Sequence, residues 1–91
     1  MIRSCADKDT QKLLERRYSK KLAAIEKQAR VRLEFLDAAT SLRDLGLPGL
    51  RLEALKGDRK GHYSIRINDR YRICFEWRNG DAYAVEIVDY H

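Results

Sequence analysis

The sequence contains few of the residues that bind metals or form disulfides. Its 91 residues include only two cysteines and two histidines, and neither Cys5 nor Cys74 has a further cysteine or a histidine nearby at metal-ligand spacing. We therefore expect no metal and no cofactor. A disulfide does not persist in a reducing compartment, so we interpret both cysteines as small, mostly buried apolar side chains. A nucleophilic cysteine stays open as an alternative.

Long apolar runs are also missing. No stretch approaches the ~20 residues needed to cross a membrane, and the first five residues lack the apolar stretch of a secretory signal. We therefore expect a cytoplasmic protein without a membrane partner. A length of 91 residues predicts a single domain, residues 1–91. The hydrophobic share of 44% favours a folded globule over a disordered chain.

The excess of positive charge is modest. Nineteen basic and 14 acidic residues give a formal net charge of +5, which is compatible with a polyanionic partner but does not require one. Most of the surplus lies in the first 45 residues, where a solvated helical surface explains it equally well. Charge alone therefore does not decide between a nucleic-acid partner and none.

The first half of the chain predicts a short strand and two helices. Residues 2–5 form the predicted strand, and Asp7 or Asp9 caps a helix that runs to about Tyr18, since aspartate accepts hydrogen bonds from free N–H groups of a first turn. A second helix is predicted over residues 21–39. Its apolar positions recur at steps of three and four, which defines one helical face: Leu22, Ile25, Ala29, Leu33, Leu36 and Thr40.

From residue 46 onward the sequence favours strands. Proline and glycine in residues 46–49 disfavour helix continuation, and residues 50–52 are predicted to open a strand. Three alternating runs follow, separated by the turn signals Asn68-Asp69 and Asn79-Gly80, at residues 62–67, 71–77 and 82–88. The order β-α-α-β-β-β-β predicts an α+β fold, with two N-terminal helices packed on one face of a mostly antiparallel sheet.

Alternation assigns the side chains to the two faces of this sheet. The predicted helix-facing side chains are Tyr63, Ile65, Ile67, Tyr71, Ile73, Phe75, Trp77, Val85 and Ile87. The opposite face, named the open face below, is predicted to hold His62, Ser64, Arg66, Arg72, Cys74, Glu76, Glu86 and Tyr90. Asp89 and His91 have the parity of the helix-facing set, so they reach the open face only if the last strand bends or ends after Val88.

Two segments carry side chains suited to phosphate chemistry. Residues 86–91 are strand-like and finish with an acid, a phenol and an imidazole at Asp89, Tyr90 and His91. Residues 55–61 form a basic stretch punctuated by glycines. Cations stabilise phosphate charge, and imidazole suits proton transfer near neutral pH. Together the two segments predict a small, metal-free site for RNA cleavage.

Each of these features also has a purely structural interpretation. Residues 56–59 taken alone fit a solvated hairpin loop, and Arg72 alone fits a surface strand residue paired to Glu76 or Glu86. His62 alone fits a surface position, and His91 alone fits a frayed terminus. Only the occurrence of all of them together favours a functional site.

Five segments occur in the order and spacing of a known family: LKGDR at 55–59, SIRIN at 64–68, YRICF at 71–75, NGDAY at 79–83 and DYH at 89–91. Over essentially its full length the chain resembles the HigB-type toxins of the RelE superfamily, including their GraT-like members. The resemblance implies a ribosome-dependent mRNA endonuclease that inhibits translation. It also implies a cognate HigA-like antitoxin with a helix-turn-helix domain, through which the complex reaches operator DNA.

The resemblance also implies positions for the active-site residues. It places the family's lysine at Lys56, its arginine at Arg72, and its terminal acid, phenol and imidazole at Asp89, Tyr90 and His91. Several family members have a histidine where this chain has Glu53, although GraT-like members also carry glutamate there. Glutamate is anionic at neutral pH, which weakens the nuclease or moves proton transfer to His91.

The implied reaction needs no metal. The ribose 2′-OH attacks phosphorus and leaves a 2′,3′-cyclic phosphate and a free 5′-OH. His91 suits acid–base work, Glu53 or Asp89 acts as the base or orients His91, and Lys56 and Arg72 stabilise the phosphate charge. Contacts to RNA or the ribosome are predicted for a stacking or hydrogen-bonding Tyr90 and for Arg59, Lys60, His62 and Arg66.

Two other functions compete with this interpretation. Glu53 favours a weakly active or inactive module of the same fold that acts by binding the ribosome or the antitoxin. A plain DNA- or RNA-binding domain is less consistent with the sequence, because no predicted helix concentrates base-reading side chains.

Overall fold

The computed structural model describes residues 1–89 and confirms the predicted α+β fold. Its four strands form one antiparallel sheet in the order β1-β2-β3-β4, and its two α-helices pack on one face of that sheet. Short 3-10 helices connect these elements at Ala23–Ile25, Leu42–Leu45, Pro48–Leu50 and Gly57–Arg59. The helices and strands are α1 (Lys8–Leu14), α2 (Glu26–Ala38), β1 (Glu53–Ala54), β2 (His62–Arg66), β3 (Tyr71–Arg78) and β4 (Asp81–Asp89).

Helix α1 begins where the sequence predicts but ends earlier. The Asp7 carboxylate accepts the Thr10 N–H at 3.1 Å and caps the first turn. The other candidate cap, Asp9, instead accepts a hydrogen bond from the Ser19 hydroxyl at 2.8 Å. The prediction that the helix continues to about Tyr18 is wrong, because Arg16 adopts a left-handed conformation with φ 61°, and such a residue ends a helix.

The second predicted helix is divided into a 3-10 turn, Ala23–Ile25, and α2. Its last predicted inward position, Thr40, is exposed, and Ala39 is buried instead. The reason is that the chain leaves the helix at Ala39, whose backbone is extended. The other predicted apolar positions are all buried, which confirms the helical face: Leu22, Ile25, Ala29, Leu33 and Leu36.

The predicted strand over residues 2–5 is not continuous. This segment makes two isolated parallel bridges to β4, one at Ile2 and one at Cys5. Between the two bridging points of β4, Ala84 adopts φ 51° and donates its N–H to the Ser4 hydroxyl at 2.9 Å. A local irregularity of this kind bends a strand and interrupts its ladder. The prediction of a continuous strand over residues 2–5 is therefore wrong.

The core lies between the helices and the sheet, as alternation predicts. The half-buried aromatic side chains Tyr63, Tyr71 and Trp77 pack against it. Full burial of one such aliphatic or aromatic side chain contributes roughly 1.5–3 kcal/mol, so this face of the sheet is the main source of stability. Its buried residues are Ile65, Ile73, Phe75, Val85 and Ile87 in the strands and Ile67 just after β2.

The open face is partly covered, which the sequence does not predict. Ser64, Arg72 and Cys74 are buried there. The backbone carbonyl of Arg51 accepts a hydrogen bond from Arg72, and Arg59 lies near enough to the Cys74 thiol to oppose the rise in its pKa that burial causes. The chain at Arg51, just before β1, therefore covers part of this face at the edge beside β2. The interpretation of Arg72 as an exposed strand residue is wrong.

Both cysteines are free thiols, and Cys74 is buried. Burial, helped by the charges of Asp7 and Glu15, raises the pKa of Cys5 to about 11, and burial also raises the pKa of Cys74. A protonated thiol is a poor nucleophile, so both residues act as apolar side chains. None of the helices within residues 1–89 has the length and apolar character to cross a membrane.

Candidate active site

Arg72 is the centre of the candidate site. It projects from β3 onto the open face and is only 8% exposed. Its Nε donates to the Ser64 hydroxyl at 2.9 Å, and its Nη2 donates to the Arg51 carbonyl at 2.6 Å and to the Ser64 carbonyl at 3.3 Å. Buried polar groups are costly unless they are hydrogen-bonded. Three oxygens of the surrounding chain thus hold this guanidinium in one orientation.

A pocket opens beside this guanidinium. Its volume, about 420 Å³, is within the range of about 300–1,000 Å³ typical of ligand sites. Three arginines among its lining residues favour an anionic ligand, because guanidinium groups bind phosphate oxygens in pairs. The lining residues are Arg51, Glu53, Arg66, Asn68, Asp69 and Arg72.

Glu53 meets Arg72 at the edge of this pocket. It lies in β1 directly opposite Ser64, and its Oε1 is 3.9 Å from Arg72 Nη1. Its side chain is 58% exposed, so a substrate in the pocket has access to it. A carboxylate is charged at neutral pH and suits the role of proton acceptor better than that of proton donor.

Arg66 is the third predicted site residue that lines the pocket, after Arg72 and Glu53. It pairs with Arg72 across β2 and β3, and its guanidinium forms an ion pair with Asp69. The Asp69 side chain is 98% exposed. Exposed ion pairs are weak, so Arg66 is available to exchange this partner for an anionic ligand.

Lys56, Arg59 and Lys60 lie in the loop between β1 and β2, and all three are exposed. Gly57 and Gly61 have φ 73° and 84°, values that only glycine adopts without strain. These two glycines let the loop turn back sharply, so that its cations face solvent beside the open face. None of the three cations lines the pocket at Arg72.

His62 lies on the open face but away from the pocket. Its Nε2 is 3.8 Å from Glu76 Oε2, and its Nδ1 is 3.4 Å from the Lys60 carbonyl. In the strand register it lies opposite Glu76, several residues along β2 from Arg66. Its position suits a contact to a long partner better than a role beside Arg72.

Asp89 is held on the other side of the sheet. Strand β4 continues to Asp89, opposite Tyr71, and this residue has the helix-facing parity that the sequence predicts. Its carboxylate accepts hydrogen bonds from Arg70 Nε at 3.0 Å and from Arg70 Nη2 at 2.8 Å. The described contacts thus join Asp89 to Arg70 rather than to Arg72. The predicted catalytic residues Tyr90 and His91 lie outside the described residues.

Three residues near the site were not singled out as functional from the sequence: Ser64, Arg51 and Arg70. Ser64 could have been found from the sequence. The predicted turn at residues 68–69 sets the pairing of the strands on either side of it, and this pairing places Ser64 diagonally across from Arg72. The contribution of Arg51 is a backbone carbonyl in a left-handed residue with φ 45°, for which the sequence has no signal. Within residues 1–89, no group of three or more histidine, cysteine or acidic side chains is placed to hold a metal ion.

Solved structures share this architecture. A YoeB dimer from Staphylococcus aureus superposes with a TM-score of 0.61 at 18% identity, covering 99% of this chain and 97% of that one. A YafQ mutant from Escherichia coli gives a TM-score of 0.59 at 12% identity, covering 98% of this chain and 93% of that one. At these identities the likeness shows the fold alone, so this chain shares the fold class of YoeB and YafQ.

The sequence narrows this class to one family. A family model described as the RelE-like toxin of type II toxin-antitoxin system HigB matches residues 4–91, and the chain belongs to this HigB-like toxin family. It is 43% identical over 60 residues to the Endoribonuclease HigB of Proteus vulgaris and 46% identical over 61 residues to the Toxin HigB-1 of Vibrio cholerae serotype O1. Each match covers 66% of this chain and 65% or 64%, respectively, of the relative's length.

Proposed function

We propose that this protein is the toxin of a type II toxin–antitoxin pair and that it inhibits translation by cutting mRNA on the ribosome. Membership of the HigB-like family supports the toxin role, and similarity to the Endoribonuclease HigB of Proteus vulgaris supports endoribonuclease activity. The observation that carries the proposal is Arg72: a buried guanidinium held by hydrogen bonds at the edge of an open pocket, with Glu53 beside it.

The arginines of the pocket supply the electrostatic part of the mechanism. RNA cleavage builds negative charge on the oxygens around phosphorus, and fixed donors aimed at that charge lower the barrier. Arg72 presents Nη1 on the side of its guanidinium that faces Glu53. Arg66 and Arg51 also line the pocket and bind the phosphates of neighbouring nucleotides. Lys56, in the adjacent loop, adds a further cation.

Proton transfer is assigned to Glu53 and the terminal residues. Glu53 takes the proton of the attacking 2′-OH, and His91 protonates the leaving 5′-oxygen. The products are a 2′,3′-cyclic phosphate and a 5′-OH, so the reaction needs no metal. General acid–base catalysis of this kind contributes about 10²–10⁴-fold. Tyr90 stacks on a base of the substrate. The Asp89 carboxylate binds Arg70 on the helix-facing side of the sheet, so the proposed proton transfer does not involve it.

The ribosome supplies the alignment that this small site lacks. The pocket is shallow and solvent-exposed, and fixing a substrate in attack geometry is worth many orders of magnitude. The exposed cations of the loop and the neighbouring imidazole contact the RNA or ribosomal backbone: Arg59, Lys60 and His62. The proposed place of action is the cytoplasm, where translating ribosomes carry mRNA.

The proposed partner that silences the toxin is a HigA-like antitoxin with a helix-turn-helix domain. Family membership supports a toxin–antitoxin pair, and the helix-turn-helix domain follows from the resemblance found in the sequence. Through this antitoxin the complex binds operator DNA. The toxin itself therefore needs no base-reading helix.

Purified protein added to ribosomes translating a defined mRNA tests the proposal. We expect cuts at codon-defined positions, mapped by primer extension, with cyclic phosphate ends and with no loss of activity in EDTA. Arg72→Ala abolishes these cuts, whereas Arg43→Ala, which removes an exposed arginine from a 3-10 helix outside the pocket, leaves them unchanged. A wild-type protein that binds the ribosome but leaves the mRNA intact contradicts the nuclease.

One observation favours a second candidate, a module of the same fold that acts by binding alone. The Glu53 carboxylate lies 3.9 Å from Arg72 Nη1, where it competes with a phosphate for the guanidinium. The same assay separates the two functions, because a binding module slows translation without producing new RNA ends.

A further inference from the structure

We propose that Ser64 is a positioning residue, whose buried hydroxyl acts with the backbone carbonyl of Arg51 to fix the Arg72 guanidinium in the orientation that the site requires. This inference rests on the proposed nuclease and adds to it the part of the chain that holds its main cation in place.

The hydroxyl of Ser64 is dedicated to Arg72. Ser64 is fully buried, with 0% exposure, in the middle of β2, where an apolar side chain would ordinarily be cheaper to bury. Its Oγ accepts from Arg72 Nε at 2.9 Å, and within residues 1–89 no other side chain hydrogen-bonds to it. A buried hydroxyl without a partner is costly, so the serine and the arginine are matched to each other.

Arg51 supplies the second support through its backbone. This residue has φ 45° and ψ 54°, the left-handed conformation, although it is not glycine. Such conformations cost energy and persist where surrounding contacts enforce them, frequently at functional sites. Here the conformation accompanies a short hydrogen bond of 2.6 Å from Arg72 Nη2 to the Arg51 carbonyl. The backbone is strained at the residue that holds the guanidinium.

Support at two positions of the guanidinium also sets the direction of its third nitrogen. The group is planar, so fixing Nε and Nη2 also fixes the direction of the N–H bonds of Nη1. Nη1 is the atom nearest Glu53, at 3.9 Å, and it lies beside the pocket. Loss of the Ser64 hydroxyl frees the Nε end of this plane, which changes the aim of Nη1 without removing its charge.

The first test is Ser64→Ala in the ribosome cleavage assay. We expect kcat to fall by about 10- to 100-fold, because a misplacement of about 1 Å in a reacting group can cost 10²-fold, while KM stays within about twofold. Ser64→Thr keeps an oxygen on the same carbon and restores most of the rate. A Ser64→Ala protein that is folded and cuts at the wild-type rate overturns the inference.

Ser19→Ala is the matched control. Ser19 is also buried, at 1% exposure, and its hydroxyl donates to Asp9 at 2.8 Å and accepts from the Leu22 N–H at 3.2 Å. It lies between α1 and the following 3-10 turn, away from the pocket. This variant loses a buried hydroxyl and its hydrogen bonds, so its melting temperature falls, but its kcat stays at the wild-type value. An equal loss of kcat in both variants assigns Ser64 a merely structural role and contradicts the proposal.

A second readout does not depend on cleavage. The Nε–H of Arg72, observed by nitrogen-15 NMR, is expected to exchange slowly with solvent in the wild-type protein and at least tenfold faster in Ser64→Ala. Fast exchange in the wild type overturns the inference even if the alanine variant does not fold. A wild-type protein that cuts no mRNA overturns the proposed nuclease instead, and the exchange of this proton still decides whether Ser64 fixes the guanidinium.

Discussion

Two arginines of this protein, only two positions apart in sequence, are used in opposite ways. The Arg70 side chain is 62% exposed and forms a bidentate ion pair with Asp89. The Asp89 carboxylate raises the pKa of Arg70. The Arg72 side chain is 10% exposed, and it is held by a hydroxyl and two backbone carbonyls. Arg70 donates its hydrogen bonds directly to a carboxylate at the surface, whereas the hydrogen bonds described for Arg72 go to neutral oxygens inside the fold, with the Glu53 carboxylate farther away at 3.9 Å.

The kind of partner decides what each arginine can do. A carboxylate cancels the charge of a guanidinium, so the Arg70 pair presents little net potential to an approaching ligand. Hydroxyl and carbonyl oxygens satisfy donors without cancelling their charge. The hydrogen bonds described for Arg72 therefore orient its guanidinium without cancelling its charge, and the Glu53 carboxylate, at 3.9 Å from Nη1, is the acidic neighbour that a bound phosphate has to displace. Residues two apart have the same parity in a strand, so the difference comes from Arg70 lying before β3, in the hairpin turn, while Arg72 lies within β3 beside Ser64.

The largest expected effect comes from replacing the planar group while keeping its charge. Arg72→Lys retains the cation but loses the fork that three oxygens hold, and we expect cleavage on the ribosome to fall by about 10²–10³-fold. The matched Arg70→Lys variant keeps near-wild-type cleavage, because an exposed pair to Asp89 tolerates either cation. Equal losses in single-turnover rates of the two variants would break the comparison.

The next effect in size concerns the carboxylate beside the buried arginine. Glu53→Gln keeps the shape of the side chain but removes its charge, so the proposed base is lost and kcat falls by about 100-fold. Binding of a non-cleavable RNA tightens slightly, since the amide no longer competes for Arg72 Nη1. An unchanged kcat excludes Glu53 as the base. Tighter binding with no cleavage in either protein supports the binding module.

The sheet and its faces were predictable because alternation and turn residues act locally. The runs that became β2, β3 and β4 followed a period of two, and Asn79 adopts the positive φ that its turn signal predicts. Three departures from the prediction, at the end of α1, in the pairing of residues 2–5 and at the support of Arg72, share one cause. Arg16, Arg51 and Ala84 also have positive φ values, 61°, 45° and 51°, and these residue types carry no preference for that conformation.

These three residues with unpredicted positive φ values affect both the fold and the site. Arg16 shortened α1, and Ala84 interrupted the pairing of residues 2–5. The Arg51 carbonyl accepts a hydrogen bond from Arg72, a contact that no sequence motif predicts. Tertiary contacts enforce such conformations, so they are visible only once the chain is folded. The identity of Arg72 as the central cation came from a family resemblance, whereas its burial and its supports came from the structure.

A smaller expected effect, on acid stability, concerns a second charged group that is hydrogen-bonded by neutral partners. Asp44 is the acidic counterpart of Arg72: the Thr40 N–H and hydroxyl and the Ser41 N–H donate to its carboxylate and lower its pKa. A lowered folded-state pKa adds stability that is complete above the unfolded carboxyl's pKa, about 3.9, and that is lost as the pH falls through the lower folded-state pKa. Thr40→Ala removes the hydroxyl donor and leaves the Asp44 carboxylate itself unchanged.

Urea unfolding between pH 6 and pH 2 measures this contribution. Asp44→Asn keeps an oxygen that accepts the same hydrogen bonds but cannot titrate. We therefore expect its stability to fall less steeply than that of the wild type below about pH 4, with Thr40→Ala between the two. Parallel curves for all three proteins show that this carboxylate does not contribute to the acid sensitivity.

The smallest expected effect is the loss of the exposed pair itself. Arg70→Ala removes the cation that binds Asp89, and because exposed ion pairs contribute little after side-chain entropy and solvent screening, the melting temperature stays close to the wild-type value. Addition of salt narrows the remaining difference, since ions screen the pair in the wild type alone. A drop as large as that of Arg72→Ala means that the Arg70 pair anchors the end of β4, and the division of the two arginines into a surface pair and a functional cation then fails.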